Sequence, residues 1–203
     1  PLAPLMPTEK GLALLIDCGA NVDARPSHLV QFAQMGSIYM ENVVGIKNPR
    51  VGIVNIGAEE EKGNTLTKET YKQLMESELN FIGNVEGRDI PNGVCDVIVT
   101  DGFTGNALLK FTEGFALRVF SEIKRRFTQG VRAKVGAIAL HKKLVELKEE
   151  FDYSEYGGAP ILGVKGPVIK MHGSSKALAV KNTILKAIPF VGNNVVKIIE
   201  DSI

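Results

Sequence analysis

Four times within its first 106 residues the chain passes from a short apolar run directly into a turn rich in Gly, Asn and Asp. Leu12–Ile16 leads into Asp17–Asp23, Val51–Ile56 into Asn55–Asn64, Asn80–Val85 into Gly83–Arg88, and Cys95–Thr100 into Asp101–Asn106. The runs are largely continuous rather than alternating and are rich in Val and Ile, the pattern of strands covered on both faces, as in parallel sheets. A fifth run, Pro160–Val164, continues through Val168–Lys170. Between them the spacing predicts helices over His28–Asn42 (capped by Ser27), Thr67–Ser77, Asn106–Phe127 and Ser174–Ile188 (capped by Ser174 or Ser175). Strands alternating with helices define an α/β fold with a mostly parallel sheet and helices on both faces. In such sheets ligands bind beyond the carboxyl ends of the strands. One polar turn there is ordinary chain reversal. Four at the same topological position point to one shared site.

Composition narrows the function. Hydrophobic residues make up 44% of 203, enough for a real core, and the formal net charge of +1 argues against a nucleic-acid partner. Cys18 and Cys95 lie in apolar surroundings and read as reduced, buried thiols, which suits the cytoplasm. No uncharged apolar run reaches the roughly 18 residues that span a bilayer. The chain opens at Pro1 without a methionine, and that opening reads as the interior of a longer protein, with processing or trimming as the alternative.

The turn Asp101-Gly-Phe-Thr-Gly-Asn106 carries the most chemistry. Its glycines bring backbone N–H groups close to a ligand, and the helix behind it favours an anion. Thr104 and Asn106 add side-chain donors. Phosphate suits this arrangement, and so does a capped turn with no ligand; neither a Walker A loop nor a dinucleotide fingerprint is present. In the second turn Lys62-Gly63-Asn64 offers a cation on a flexible tether, while Glu59–Glu61 reads as solvated surface. Near the C-terminus Lys170-Met-His172-Gly173 leads to Ser174, a second candidate anion site. His172 is the histidine best placed for proton transfer, although a lone histidine is more often structural. His28 and His141 read as surface residues of helices. Metal-ligand spacing and a nucleophile elbow are both absent from the sequence, so direct attack by a bound anion fits better than covalent catalysis.

From Lys124 to Lys148 eight of the 24 Lys and Arg residues stand against a single acid, Glu146. Apolar residues including Val131, Val135 and Ile138 thread through at helical spacing, interrupted by Gly130 and Gly136. This predicts two amphipathic helical segments with a cationic face, an excursion over residues 128–152. Such a segment serves membrane contact. The other reading has Val131, Val135 and Ile138 packed in a core or an interface, with the lysines facing water.

These runs, taken in order, resemble the PlsX family of bacterial phosphate acyltransferases. The resemblance rests on Asp17-Cys-Gly-Ala-Asn-Val-Asp-Ala-Arg-Pro26, Asn48-Pro-Arg-Val-Gly52, Asn55-Ile-Gly57, Lys62-Gly-Asn64 and Asn80-Phe-Ile-Gly-Asn-Val-Glu86, together with Asp101-Gly-Phe-Thr-Gly-Asn106, Tyr156-Gly-Gly-Ala-Pro160 and Lys170-Met-His-Gly-Ser-Ser175. It covers the whole chain and corresponds to roughly the last three-fifths of a family member. It implies a fold similar to the isocitrate and isopropylmalate dehydrogenases, a homodimer, peripheral membrane association and no cofactor. It also implies attack of inorganic phosphate on the thioester of acyl-acyl carrier protein, giving acyl phosphate for phospholipid synthesis. On the family pattern Lys62 and Asn106 are the central catalytic residues, with His172 supporting them. Asn55, Gly63, Asn64, Asp101, Gly102, Thr104, Gly105, Lys170 and Ser174 hold phosphate or substrate. The alternatives are a phosphotransacetylase-like enzyme acting on acyl-CoA and a non-enzymatic, membrane-recruited scaffold.

Overall fold

A computed structural model describes residues 1–151, 157–173 and 175–203. Its main sheet has five strands in the order β1-β2-β5-β3-β4: β1 (Leu5–Thr8), β2 (Gly11–Ile16), β3 (Val51–Asn55), β4 (Phe81–Glu86) and β5 (Val97–Val99). The last four run parallel, so all four polar turns leave from one edge. Strand β1 pairs antiparallel with β2 and was not legible in the sequence. Its prolines mask it, and proline is tolerated on an edge strand, where the lost N–H has no partner to miss.

Side chains divide between the two faces with the strand period of two. Leu14, Ile16, Val51, Ile53, Val97 and Val99 enter one core beneath the helices α1 (Pro26–Tyr39) and α2 (Thr65–Met75). Ala13, Leu15, Ile98 and Val85 enter a second, smaller core, completed by Ile90 and by Leu108 and Leu109 of α3 (Gly102–Phe127). The architecture is therefore α/β with a mostly parallel sheet, as expected.

Several elements differ from expectation. Helix α1 begins at Pro26 rather than after a Ser27 cap, because proline's fixed φ suits the first helical position. It passes into a π-helical turn, Met40–Val44. Helix α3 starts at Gly102, not Asn106, because the Asp101 carboxylate caps it there. Gly136 does not break the basic segment. Helix α4 (Gly130–Glu150) runs through it, since a glycine in an exposed helix costs only about 1 kcal/mol. Pro160–Val164 is not a strand of the parallel sheet. Ala159–Ile161 (β6) and Val168–Lys170 (β7) form a separate antiparallel pair. The last long helix, α5, spans Ala177–Gly192 instead of Ser174–Ile188, and α6 (Val195–Ser202) follows a bend at Asn194, where φ is +55°. Ser174 and Tyr156 lie outside the described residues.

Candidate functional site

Asp17, fully buried at the end of β2, organises the first turn. Its Oδ1 accepts hydrogen bonds from the N–H groups of Leu2 (2.8 Å) and Ala20 (3.2 Å). Its Oδ2 accepts from the N–H (2.6 Å) and side-chain amide (2.9 Å) of Asn21. A buried carboxylate with four donors is fully satisfied, so it costs little and fixes the loop it holds. That loop in turn fixes the start of α3. The Asn21 carbonyl accepts from Gly102 N–H at 2.8 Å, and a Cβ on Gly19 would sit 3.6 Å from the Asn106 side chain. Gly105 passes so close to the Asp17 carbonyl oxygen that no Cβ fits between them. Asn106 itself is exposed at this edge.

Asp101 accepts the Thr104 N–H at Oδ1 (2.9 Å) and the Thr104 hydroxyl at Oδ2 (2.8 Å). The hydroxyl that the sequence offered to a ligand is thus given to the cap, and Gly105 N–H goes to the Asp101 carbonyl. The exposed side-chain donor left in this turn is the Asn106 amide.

Two buried or half-buried amides tie down the neighbouring turn. Asn55 Nδ2 donates to the Lys62 carbonyl (3.0 Å) and to Asn84 Oδ1 (2.9 Å), while Asn84 Nδ2 donates to the Glu59 carbonyl (2.7 Å). The backbone of residues 59–62 is therefore held from the ends of β3 and β4, and the Lys62 side chain stands in solvent. Gly63, at φ +95°, has Thr67 and Asn55 where a Cβ would be, so only glycine closes this turn. Asn64 caps α2 by accepting Thr67 N–H at 2.9 Å.

The edge thus gathers Asn55, Lys62, Gly63, Asn64, Asp101, Gly102, Thr104, Gly105 and Asn106 on adjacent turns, since β5 lies beside β3. Lys170 and His172 come from β7 and the turn after it, outside the row of parallel strand ends. Asp17, Asn21 and Asn84 are structural members of the site that sequence reasoning did not single out. The signal for Asp17 is a lone carboxylate directly after an apolar strand, and for Asn84 a lone amide inside one, β4. Burial pushes both thiols up, Cys95 to about 12 and Cys18 further, with Asp17 and Glu113 adding to the rise at Cys18. Neither is a thiolate nucleophile at neutral pH. Among the described residues no cluster of three His, Cys, Asp or Glu side chains could hold a metal.

A mostly parallel sheet with helices packed on it and its polar turns gathered at the carboxyl edge makes this an α/β protein, the class whose ligand sites lie beyond the strand ends. Comparison with known proteins narrows the class. The family model described as fatty acid synthesis protein matches residues 1–198. The chain is 55% identical over 203 residues to a phosphate acyltransferase of Bacillus licheniformis, covering all of this chain and 62% of that protein. It is 52% identical over 202 residues to one of Alkaliphilus oremlandii (100% and 60%) and 54% identical over 195 residues to one of Clostridium acetobutylicum (96% and 59%). The chain belongs to this family, the PlsX family that its motifs resemble. It spans about three-fifths of the length of these curated relatives.

Proposed function

We propose that the protein transfers a fatty acyl group from acyl-acyl carrier protein to inorganic phosphate, giving acyl phosphate for phospholipid synthesis. The observation that carries this reading is the pair of adjacent turns presenting Lys62 and Asn106 at one sheet edge, in a chain whose relatives are named phosphate acyltransferases. Lys62 holds the phosphate as a point charge beside the half-buried Asn55 and buried Asn84 amides. Bringing phosphate and thioester together supplies the orientation that a bimolecular reaction lacks. A phosphate oxygen attacks the thioester carbon, the C–S bond breaks, and the phosphate's proton ends on the thiol. The Asn106 amide donates to the oxyanion that develops on the way. In this reading His172, on the turn after β7, carries that proton. Direct attack is favoured over a cysteine-bound intermediate by the raised thiols.

The helix pair α3–α4 gives the same reading a location. Val131, Val135 and Ile138 are 80%, 62% and 78% exposed, on a helix that also carries Arg132, Lys134, Lys142 and Lys143. That combination suits an anionic lipid surface, with about 1 kcal/mol per lysine added to the apolar burial. No described helix is long and apolar enough to cross a membrane. In this reading the pair projects from the α/β body, and a homodimer works at the cytoplasmic membrane surface, doubling the contact. The test is substitution in the longer protein. Lys62→Ala and Asn106→Ala are each expected to lower acyl phosphate formation about a hundredfold. Near-parental turnover by folded variants would refute the assignment.

A further inference from the structure

A long apolar cleft opens beside the same edge. It has a volume of about 350 Å³ and lies between α3 on one side and β1 with the turn after β4 on the other. Leu108, Leu109, Ala116, Leu117 and Phe120 line it from α3, and Leu5, Met6 and Ile90 face them. Phe151 closes the far end, its ring centroid 5.9 Å from that of Phe120. The near end is marked by Gly87, where a Cβ would meet Leu108 at 3.4 Å. Glu113, the one charged group in the wall, pairs with Lys110 at 3.7 Å.

The cleft is in line with the site. Residues three and four apart share one side of a helix, and Asn106, Leu109, Glu113, Ala116 and Phe120 fall on that spacing. Asn106 therefore heads the stripe that lines the cleft. From Leu108 to Phe120 the helix advances about 18 Å at 1.5 Å per residue. One leaflet of a bilayer's hydrocarbon core, filled by a single acyl chain, is about 15 Å deep. The cleft has the length a long-chain acyl group requires and, apart from Thr112 and the Lys110-paired Glu113, an apolar wall.

We infer that this cleft holds the hydrocarbon chain of the acyl substrate, with the reacting carbonyl at Asn106 and with Phe120 and Phe151 as the stop that sets chain length. The inference rests on the acyl-transfer reading and adds its chain subsite. The test is displacement of cis-parinaric acid from the 203-residue chain by butyrate, octanoate, decanoate and palmitate. Affinity is expected to rise about fourfold per added methylene until the chain reaches Phe120. Ala116→Trp blocks the cleft about 12 Å below Leu108. Palmitate is then expected to bind no better than the shorter chain that stops at residue 116. Affinity independent of chain length in the parent, or unchanged palmitate binding by a folded Ala116→Trp variant, overturns the inference. Should that variant fail to fold, the parent is photolabelled with palmitate carrying a terminal diazirine. Label within residues 112–120 or on Phe151 supports the subsite, and label confined to the Val131–Ile138 face overturns it. Acyl phosphate made by the longer protein with the same chain-length preference in parent and Ala116→Trp would remove the subsite and leave the reaction standing. Fatty-acid binding in the cleft without acyl phosphate formation would remove the reaction and leave the subsite standing.

Discussion

Replacing Asp17 by asparagine isolates the clamp that holds the site together. The side chain keeps its shape, but one oxygen becomes an NH₂ group. Each oxygen accepts two hydrogen bonds, Oδ1 from Leu2 and Ala20 and Oδ2 from the two Asn21 donors. Whichever way the amide turns, two donors lose their acceptor and face another donor. Hydrogen bonds to a charged group contribute about 1.5–3 kcal/mol each. Ala20 is exposed, so water replaces part of the loss on one side, and the expected cost is about 3–4 kcal/mol. For a chain of this length that lowers Tm by about ten degrees. Calorimetry or circular dichroism of the 203-residue chain reads it directly. Asn21→Ala, which removes one of the four bonds, is the control and should cost about 1 kcal/mol. A Tm change for Asp17→Asn no larger than the control's would refute the claim that this carboxylate anchors the turn.

Other outcomes follow from the same contacts. Gly105→Ala should destabilise by more than 2 kcal/mol, because the new methyl meets the Asp17 carbonyl, whereas Gly114→Ala, with nothing within 4 Å, should gain about 0.5–1 kcal/mol; urea unfolding of the pair separates backbone crowding from helix propensity. Burial pushes the Asp96 carboxyl up, but the Arg50 guanidinium at 2.8 Å and the Arg50 N–H outweigh burial and leave it lowered. A lowered carboxyl stabilises above its unfolded value, about 3.9, and that contribution is lost as pH falls through the folded value. Asp96→Asn should therefore cost about 1–2 kcal/mol at neutral pH, with the gap to the parent closing below about pH 4 in unfolding titrations. Asn84→Ala removes the amide that joins Asn55 to the Glu59 carbonyl, and it should raise the KM for phosphate in the longer protein more than it lowers kcat, since Lys62 remains but its loop is released.

The main sheet was legible because its central strands are buried on both faces and so cannot hide their hydrophobicity. The turns were legible because Gly, Asn and Asp mark them, and parallel pairing alone brings their ends to one edge. The site's supporting shell was harder to read. Asp17 looks like an ordinary turn residue and Asn84 like a stray polar position in a strand until burial shows that their polar atoms must find partners within the protein. Strand β1 was hidden by Pro4 and Pro7, and β6 by a hydrophobicity that did not reveal whether it joined the main sheet. The start of α3 moved from Asn106 to Gly102 because a cap is decided by one carboxylate, not by the apolar period downstream. That shift also changed the chemistry, converting Thr104 from a free donor into a partner of Asp101.

The most direct measurement of the proposed activity uses radiolabelled inorganic phosphate, palmitoyl-acyl carrier protein and the longer protein, with the intact acyl phosphate separated from free phosphate by extraction into organic solvent. The account predicts label in acyl phosphate, one free carrier thiol released for each acyl phosphate formed, and a rate that saturates with phosphate. Thioester cleavage at a rate indifferent to phosphate, yielding only free fatty acid, would contradict it.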